Sequence, residues 1–219
     1  MNTLAHIEFI YFDLGNVLIS FDHSRACQQI AELTGISPRR AEQILFDSGV
    51  QTQYERGEIS TREFHLYFCE QARVEVSLEN LCFAASNIFE PLETSIQLLK
   101  TLNRAGHRLG LLSNTCDCHW KFCLNDDRFS FLHSGFELTV LSFIEGRAKP
   151  DTDIYRTAAR LANCDPGSIL FIDDKQENVK AAQSFGFDGI HFVGFSELLR
   201  ELAKRDLTEK GPDTFNLKS

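Results

Sequence analysis

The stretch FDLGNVL, residues 12–18, joins an apolar run to a carboxylate, Asp13, and then to a Gly15-Asn16 turn. The run that leads into it, IEFIYFD (7–13), is apolar almost throughout, as expected of a strand buried on both faces of a parallel sheet. Four more runs of this kind follow: HRLGLLSN (107–114), ELTVLS (137–142), SILFID (168–173) and GIHFVG (189–194). Helical patterns separate them, at 95–106, 154–164 and 177–186, the first closed by Gly106 and the last by Gly186. Parallel strands need crossover connections, so this alternation predicts an α/β fold with a Rossmann-like parallel sheet and helices on both faces. In such a sheet a ligand sits beyond the carboxyl ends of the strands, which is where Asp13 stands.

One region breaks the alternation. From Phe21 to Glu90 the patterns are helical only, as in SRACQQIAELTG, PRRAEQILFDSG and STREFHLYFCEQARV, with Pro38 and Ser60 as helix starts. The expected division is a core of 1–20 and 91–205, a helical insert of 21–90 lying over the strand ends, and a polar tail of 206–219.

The chain has 219 residues, 43% hydrophobic and 24% charged, ordinary values for a globular protein. Its formal net charge of −9 argues against nucleic acid or an anionic membrane as main partner. No apolar run approaches the ~18 residues of a membrane span, and MNTLAHIEF lacks the basic start of a secretion signal, so the expected location is cytoplasmic. Seven cysteines at irregular spacing fit reduced thiols better than a disulfide framework.

Polar residues gather at the strand ends. Strand one ends in Asp13, strand two in Ser113-Asn114-Thr115 and strand four in Asp173-Asp174, while the loop beyond strand three carries Lys149-Pro150. Carboxylates brought together at short range either raise a pKa or require a cation, and Mg²⁺ prefers such oxygen ligands. A hydroxyl, backbone amides and a lysine beside them suit the site to a phosphate.

In order and strand placement, Asp13-Leu14-Gly15-Asn16-Val17, Ser113-Asn114, Lys149-Pro150 and Asp173-Asp174 resemble the four motifs of the haloacid dehalogenase superfamily of hydrolases. The resemblance runs from the first strand to about Leu202. The D-L-G-N-V form is similar to bacterial sugar-phosphatase-like members and to the N-terminal phosphatase domain of soluble epoxide hydrolase. It implies that the insert is that family's cap and that the protein is a Mg²⁺-dependent phosphatase acting on a small phosphorylated metabolite. By the same resemblance Asp13 is the nucleophile that forms an aspartyl-phosphate. Mg²⁺ is held by Asp13, the Gly15 carbonyl and Asp174, with Asp173 as a further ligand or supporting partner. Ser113 and the amide of Asn114 bind phosphate oxygens, and Lys149 offsets charge on the nucleophile and the phosphoryl group.

The sequence departs from the family at Gly15, where most of its phosphatases carry a second aspartate as general acid. General acid catalysis supplies ~10²–10⁴-fold, so a glycine there predicts substrates whose leaving group is already a weak base, such as a sugar 1-phosphate or an acyl phosphate. Asn178 likewise replaces a second carboxylate. Two other readings follow from the same motifs: a 2-haloacid dehalogenase, which has no use for the Asp173-Asp174 pair, and a non-catalytic binding protein that kept the scaffold.

Outside the motifs, Tyr54 and Arg56, next to a turn at Gly57, are the insert's candidates for substrate contact. Asp22 is read as a helix N-cap rather than a substitute acid, and His119 and Trp120 as helix packing in preference to reaching towards the cap and substrate. Cys116-Asp117-Cys118-His119 lacks the spacing of a zinc site, and on a helix Cys116 and Cys118 diverge, so no structural metal is expected there.

Overall fold

In a computed structural model, described here for residues 6–208, five parallel strands form the central sheet. In chain order the strands are β1 (Phe9–Phe12), β2 (Ile19–Phe21), β3 (Phe89–Pro91), β4 (Arg108–Ser113), β5 (Leu138–Leu141), β6 (Ile169–Asp173) and β7 (Asp188–His191). The sheet order is β5-β4-β1-β6-β7. All five expected strands are present, each within a few residues of its sequence bounds.

Helices α1 (His23–Thr34), α2 (Pro38–Glu42), α3 (Val50–Glu55), α4 (Thr61–Ala72) and α5 (Leu78–Ser86) fill the segment between β2 and β3. Those of the sheet domain are α6 (Glu93–Arg104), α7 (Asp117–Asn125), α8 (Ser142–Glu145), α9 (Thr152–Ala162), α10 (Gln176–Phe185) and α11 (Phe195–Ala203). Local chemistry accounts for several ends. Ser60 and Glu63 form a reciprocal capping box on α4, and Gly35 and Gly186 close α1 and α10 in the left-handed conformation.

The strand period sorts the core into layers. Ile10 and Phe12 of β1 pack with Leu98, Leu99 and Leu102 of α6 and with Leu198 and Leu202 of α11. Phe9 and Tyr11 turn to the opposite face, against Ile154, Tyr155 and Ala158 of α9. The helical segment has its own cluster, built on Ile30, Leu45, Tyr54, Phe64, Phe68 and Leu81.

One part of the segment differs from the sequence reading. Its two ends are not helical but pair as an antiparallel ribbon, with Ile19 opposite Pro91 and Phe21 opposite Phe89. Three-residue strands carry too little alternation to register in a periodicity search, and their pairing is set by partners seventy residues away in the chain. The expected tail lies outside the described residues from position 209 onward, and Leu207 before it is buried in the core. Among the described residues no helix is long and apolar enough to cross a membrane.

Candidate active site

Strand register assembles the site. Phe12 pairs with Leu111 on one side and Ile172 on the other, so Asp13, Leu112 and Asp173 stand side by side at the carboxyl edge of the sheet. The Asp13 backbone N–H donates to Ile172 O at 2.8 Å, which holds the nucleophile candidate at the rim. The chain leaves β1 for β4 and β5 on one side and returns to β6 and β7 on the other, making β1 the switch point at which α/β sheets bind ligands.

Lys149 closes the group from the loop after α8. Its Nζ donates to Leu112 O at 2.8 Å, to Asp173 Oδ2 at 2.7 Å and to Asp13 Oδ1 at 2.8 Å. Asn114 clamps the backbone of this residue: Asn114 Nδ2 donates to Lys149 O, and Lys149 N donates to Asn114 Oδ1, both at 2.8 Å. The Asn114 side chain therefore positions the lysine, a role the sequence did not reveal. Ser113 is buried beside it on the wall of the crevice.

Asp173 is fully buried and heavily committed. Besides Lys149, it accepts from Lys175 N at 2.7 Å and from Asn178 Nδ2 at 3.0 and 3.1 Å. Asn178, which replaces a carboxylate of the family pattern, is thus a clamp on Asp173. Asp174 is half-exposed, and its carboxylate accepts a hydrogen bond, 2.9 Å long, from Asn16 Nδ2. Asn16 itself adopts the left-handed φ of 55° that asparagine tolerates, and this turn aims its amide at Asp174.

Electrostatics follow from this crowding. Burial pushes the Asp13 carboxyl up to about 6, with Asp173 and Asp174 adding to the rise and Lys149 opposing it. Burial works against the charged form of Lys149, but Asp13 and Asp173 outweigh it and hold the ammonium above its ordinary range. One oxygen each from Asp13, Asp173 and Asp174 lies within 4.8 Å of the others, so three carboxylates face a single ammonium. That excess of negative charge among hard oxygen donors fits Mg²⁺.

Around Gly15 an aromatic ring closes in on the crevice. A Cβ at this position would stand 2.9 Å from Cε1 of Phe21, so the ring occupies the space into which an acidic side chain would grow. The cavity there, about 70 Å³, is lined by Gly15, Phe21, His23, Glu55, Ser113, Asn114 and His119, among others. Burial and the nearby His119 hold the His23 imidazole below its usual range.

The other expected residues fall as follows. Tyr54 is buried in the helical segment: its hydroxyl donates to Thr61 Oγ1 at 2.9 Å and accepts from Cys118 N at 3.0 Å, so it is turned away from the crevice. Arg56 is paired with Asp151 at 2.9 Å, just beyond Lys149-Pro150. The turn at Gly57 is real and close-packed, since a Cβ there would lie 2.2 Å from Phe143 O. Asp22 caps α1, accepting from Ser24 N at 2.8 Å. His119 both packs edge-on against Phe89 and faces the cavity.

The cysteine reading needs correction. Cys116 precedes α7 in extended conformation, with φ −121° and ψ 166°, so helical geometry does not separate it from Cys118. The two sulfurs meet at 3.6 Å, with a His119 ring nitrogen in the same group.

Residues 7–186 match the family model described as haloacid dehalogenase-like hydrolase. The chain belongs to this family. A phosphatase of Mycobacterium tuberculosis (MT3486) is 27% identical over 215 residues, covering 94% of this chain and 95% of the relative. D-ribitol-5-phosphate phosphatase of Bacteroides thetaiotaomicron is 23% identical over 186 residues, covering 83% and 90%. A haloacid dehalogenase-family enzyme from Bacteroides thetaiotaomicron, crystallised with magnesium and inorganic phosphate, superposes with a TM-score of 0.78 at 30% identity, covering 89% of this chain and all of that one. The two curated relatives of this haloacid dehalogenase-like hydrolase are thus phosphatases by name, and its fold is that of the magnesium- and phosphate-bound structure.

Proposed function

We propose that the protein is a Mg²⁺-dependent phosphatase that hydrolyses a small phosphorylated metabolite through an aspartyl-phosphate on Asp13, with residues 21–90 acting as its cap. The observation that carries this reading is the buried Lys149 ammonium joined to Asp13 and Asp173, with Asp174 beside them. A lone buried carboxylate would neutralise itself. Here the lysine opposes that neutralisation, and a cation held by the neighbouring carboxylates would complete the task, leaving Asp13 ionised and available as a nucleophile.

In the first step an Asp13 oxygen attacks phosphorus, the bond from phosphorus to the leaving oxygen breaks, and that oxygen departs with the electron pair. In the second, water attacks the same phosphorus, the Asp13–phosphorus bond breaks and phosphate leaves. Lys149 stabilises charge on Asp13 and on the transferring group in both steps. Ser113 and the Asn114 amide hold phosphoryl oxygens. Asp13, the Gly15 carbonyl and Asp174 would hold Mg²⁺, with Asp173 supporting, and the ion would offset charge between carboxylates and phosphate.

Gly15 supplies no proton, Phe21 fills the adjacent space, and the His23 imidazole, held below its usual range, is a poor acid at neutral pH. The proposed substrates therefore release a weakly basic oxygen: a sugar 1-phosphate or an acyl phosphate rather than a simple alkyl ester. The test is phosphate release from a panel of such compounds, with Mg²⁺ and with chelator. Release that requires Mg²⁺ and favours a sugar 1-phosphate over its 6-phosphate isomer supports the reading. Equal rates on the two isomers refute the leaving-group part, and turnover unaffected by chelator refutes the metal part.

A further inference from the structure

A group of thiols at the junction of the helical segment and the sheet domain plays no part in that chemistry. Cys116 Sγ and Cys118 Sγ are 3.6 Å apart, and ligand atoms of Cys116, Cys118 and His119 all lie within 4.8 Å of one another. Cys82, from α5, packs against the same buried cluster as Cys116 and Cys118. We propose that Cys116, Cys118 and His119 form a binding site for a thiophilic divalent cation of the zinc class, with the neighbouring Cys82 drawn in as fourth ligand, separate from the carboxylates that suit Mg²⁺.

The dimensions fit. A tetrahedral zinc–thiolate site with bonds of about 2.3 Å has a sulfur–sulfur edge of about 3.8 Å. The observed 3.6 Å is a few tenths short of that, so the two thiols need only a slight separation. The donor set is selective, since thiolate and imidazole prefer zinc-class ions, whereas Mg²⁺ takes oxygen ligands. All of these cysteines are free thiols.

The site's position gives it a consequence. Cys82 belongs to the helical segment, whereas Cys116, Cys118 and His119 lie at the start of α7, three residues beyond Ser113. A bound cation ties the two parts together and takes up an imidazole that faces the crevice. If the phosphatase reading above holds, occupancy lowers turnover.

The test is a Co²⁺ titration of reduced, chelator-stripped protein, followed by thiolate-to-metal charge-transfer absorbance. The expected result is a saturable band at one equivalent, displaced by Zn²⁺ and not by Mg²⁺. The band is absent in Cys116→Ser/Cys118→Ser, weakened at least tenfold in affinity in Cys82→Ser, and unchanged in Cys27→Ser, a buried cysteine outside the group. If the double variant fails to fold by circular dichroism, the Cys82→Ser and Cys27→Ser comparison decides. No band from folded wild type, or equal affinity in Cys82→Ser and wild type, overturns the four-ligand site. Because the absorbance is independent of turnover, a protein that binds Co²⁺ but releases no phosphate sinks only the phosphatase reading. Inhibition of phosphate release by Zn²⁺ that persists in Cys82→Ser sinks the link to activity.

Discussion

Lys149 Nζ lies 2.7 Å from Asp173 Oδ2, and the two side chains are 1% and 0% exposed. Asp173 is therefore committed to the lysine. Removing one member of a buried ion pair costs about 3–5 kcal/mol because the other is left uncompensated. Lys149→Ala should lose that much stability at pH 8 and at least a thousandfold in kcat. Without the ammonium the folded-state carboxyl pKa values rise further, so the variant's deficit should shrink as pH falls and protons replace the lysine. Thermal denaturation at pH 5 and pH 8 checks this; an equal deficit at both would contradict it.

Asn178 donates to both oxygens of Asp173, which fixes the carboxylate that aims Lys149. Asn178→Ala should cost roughly 1–3 kcal/mol, the penalty for a buried acceptor left short of a donor. It should also lower kcat about tenfold with little change in KM. Steady-state kinetics would show the account wrong if KM alone moved.

The Asp174 carboxylate, half-exposed and held by Asn16 at 2.9 Å, is freer than that of Asp173 to meet an ion. Asp174→Asn should raise the Mg²⁺ concentration for half-maximal rate by about tenfold or more, within the range expected for a weakened metal site. Asp173→Asn should instead show most of its damage as lost stability. Mg²⁺ titrations of rate, paired with melting curves, separate the two. The reverse pattern would mean that Asp173 is the principal ligand.

Asp13 is raised from 3.8 to about 6 by burial and its acidic neighbours. Between those values the folded state binds more protons than the unfolded one, so this group's contribution to stability is present below about 4 and is lost as pH rises through 6. Metal-free protein should lose stability across that window, and Asp13→Asn should flatten the loss. Mg²⁺ favours the ionised carboxylate, so the acid limb of the kcat/KM profile should move to lower pH as Mg²⁺ increases. A limb that stays in place would argue that Asp13 is not at the ion.

The Phe21 ring stands where a side chain at position 15 would go. Gly15→Asp alone should destabilise the protein without a gain in rate. In a Phe21→Ala background the same aspartate gains room, and turnover of an alkyl phosphate should rise at least tenfold, part of the ~10²–10⁴ that general acid catalysis offers. Absence of any gain in the folded double variant would mean that the missing acid does not limit the reaction.

Much of this was legible from local pattern. The five strands were readable because continuous apolar runs mark buried parallel strands, and Asp13, Ser113, Lys149 and Asp173-Asp174 because each follows such a run. What stayed hidden depends on contacts across the chain. The β2–β3 ribbon is three residues per strand, and Asn114, Asn16 and Asn178 act through partners the sequence does not reveal. Tyr54 looked like a crevice residue beside its turn, yet its hydroxyl is taken by Thr61 and Cys118. The Cys116–Cys118 contact was missed because a helical period was assumed one residue before the helix begins.

The most direct test of the central claim is to trap the covalent intermediate. Enzyme with Mg²⁺ is mixed with a sugar 1-phosphate or acyl phosphate carrying radiolabelled phosphorus, quenched in acid within one turnover, and the protein is counted. The account predicts label on the wild type that is released by hydroxylamine, maps to the peptide containing Asp13 and is absent from Asp13→Asn. Turnover without labelled protein, or label that survives in Asp13→Asn, would contradict it.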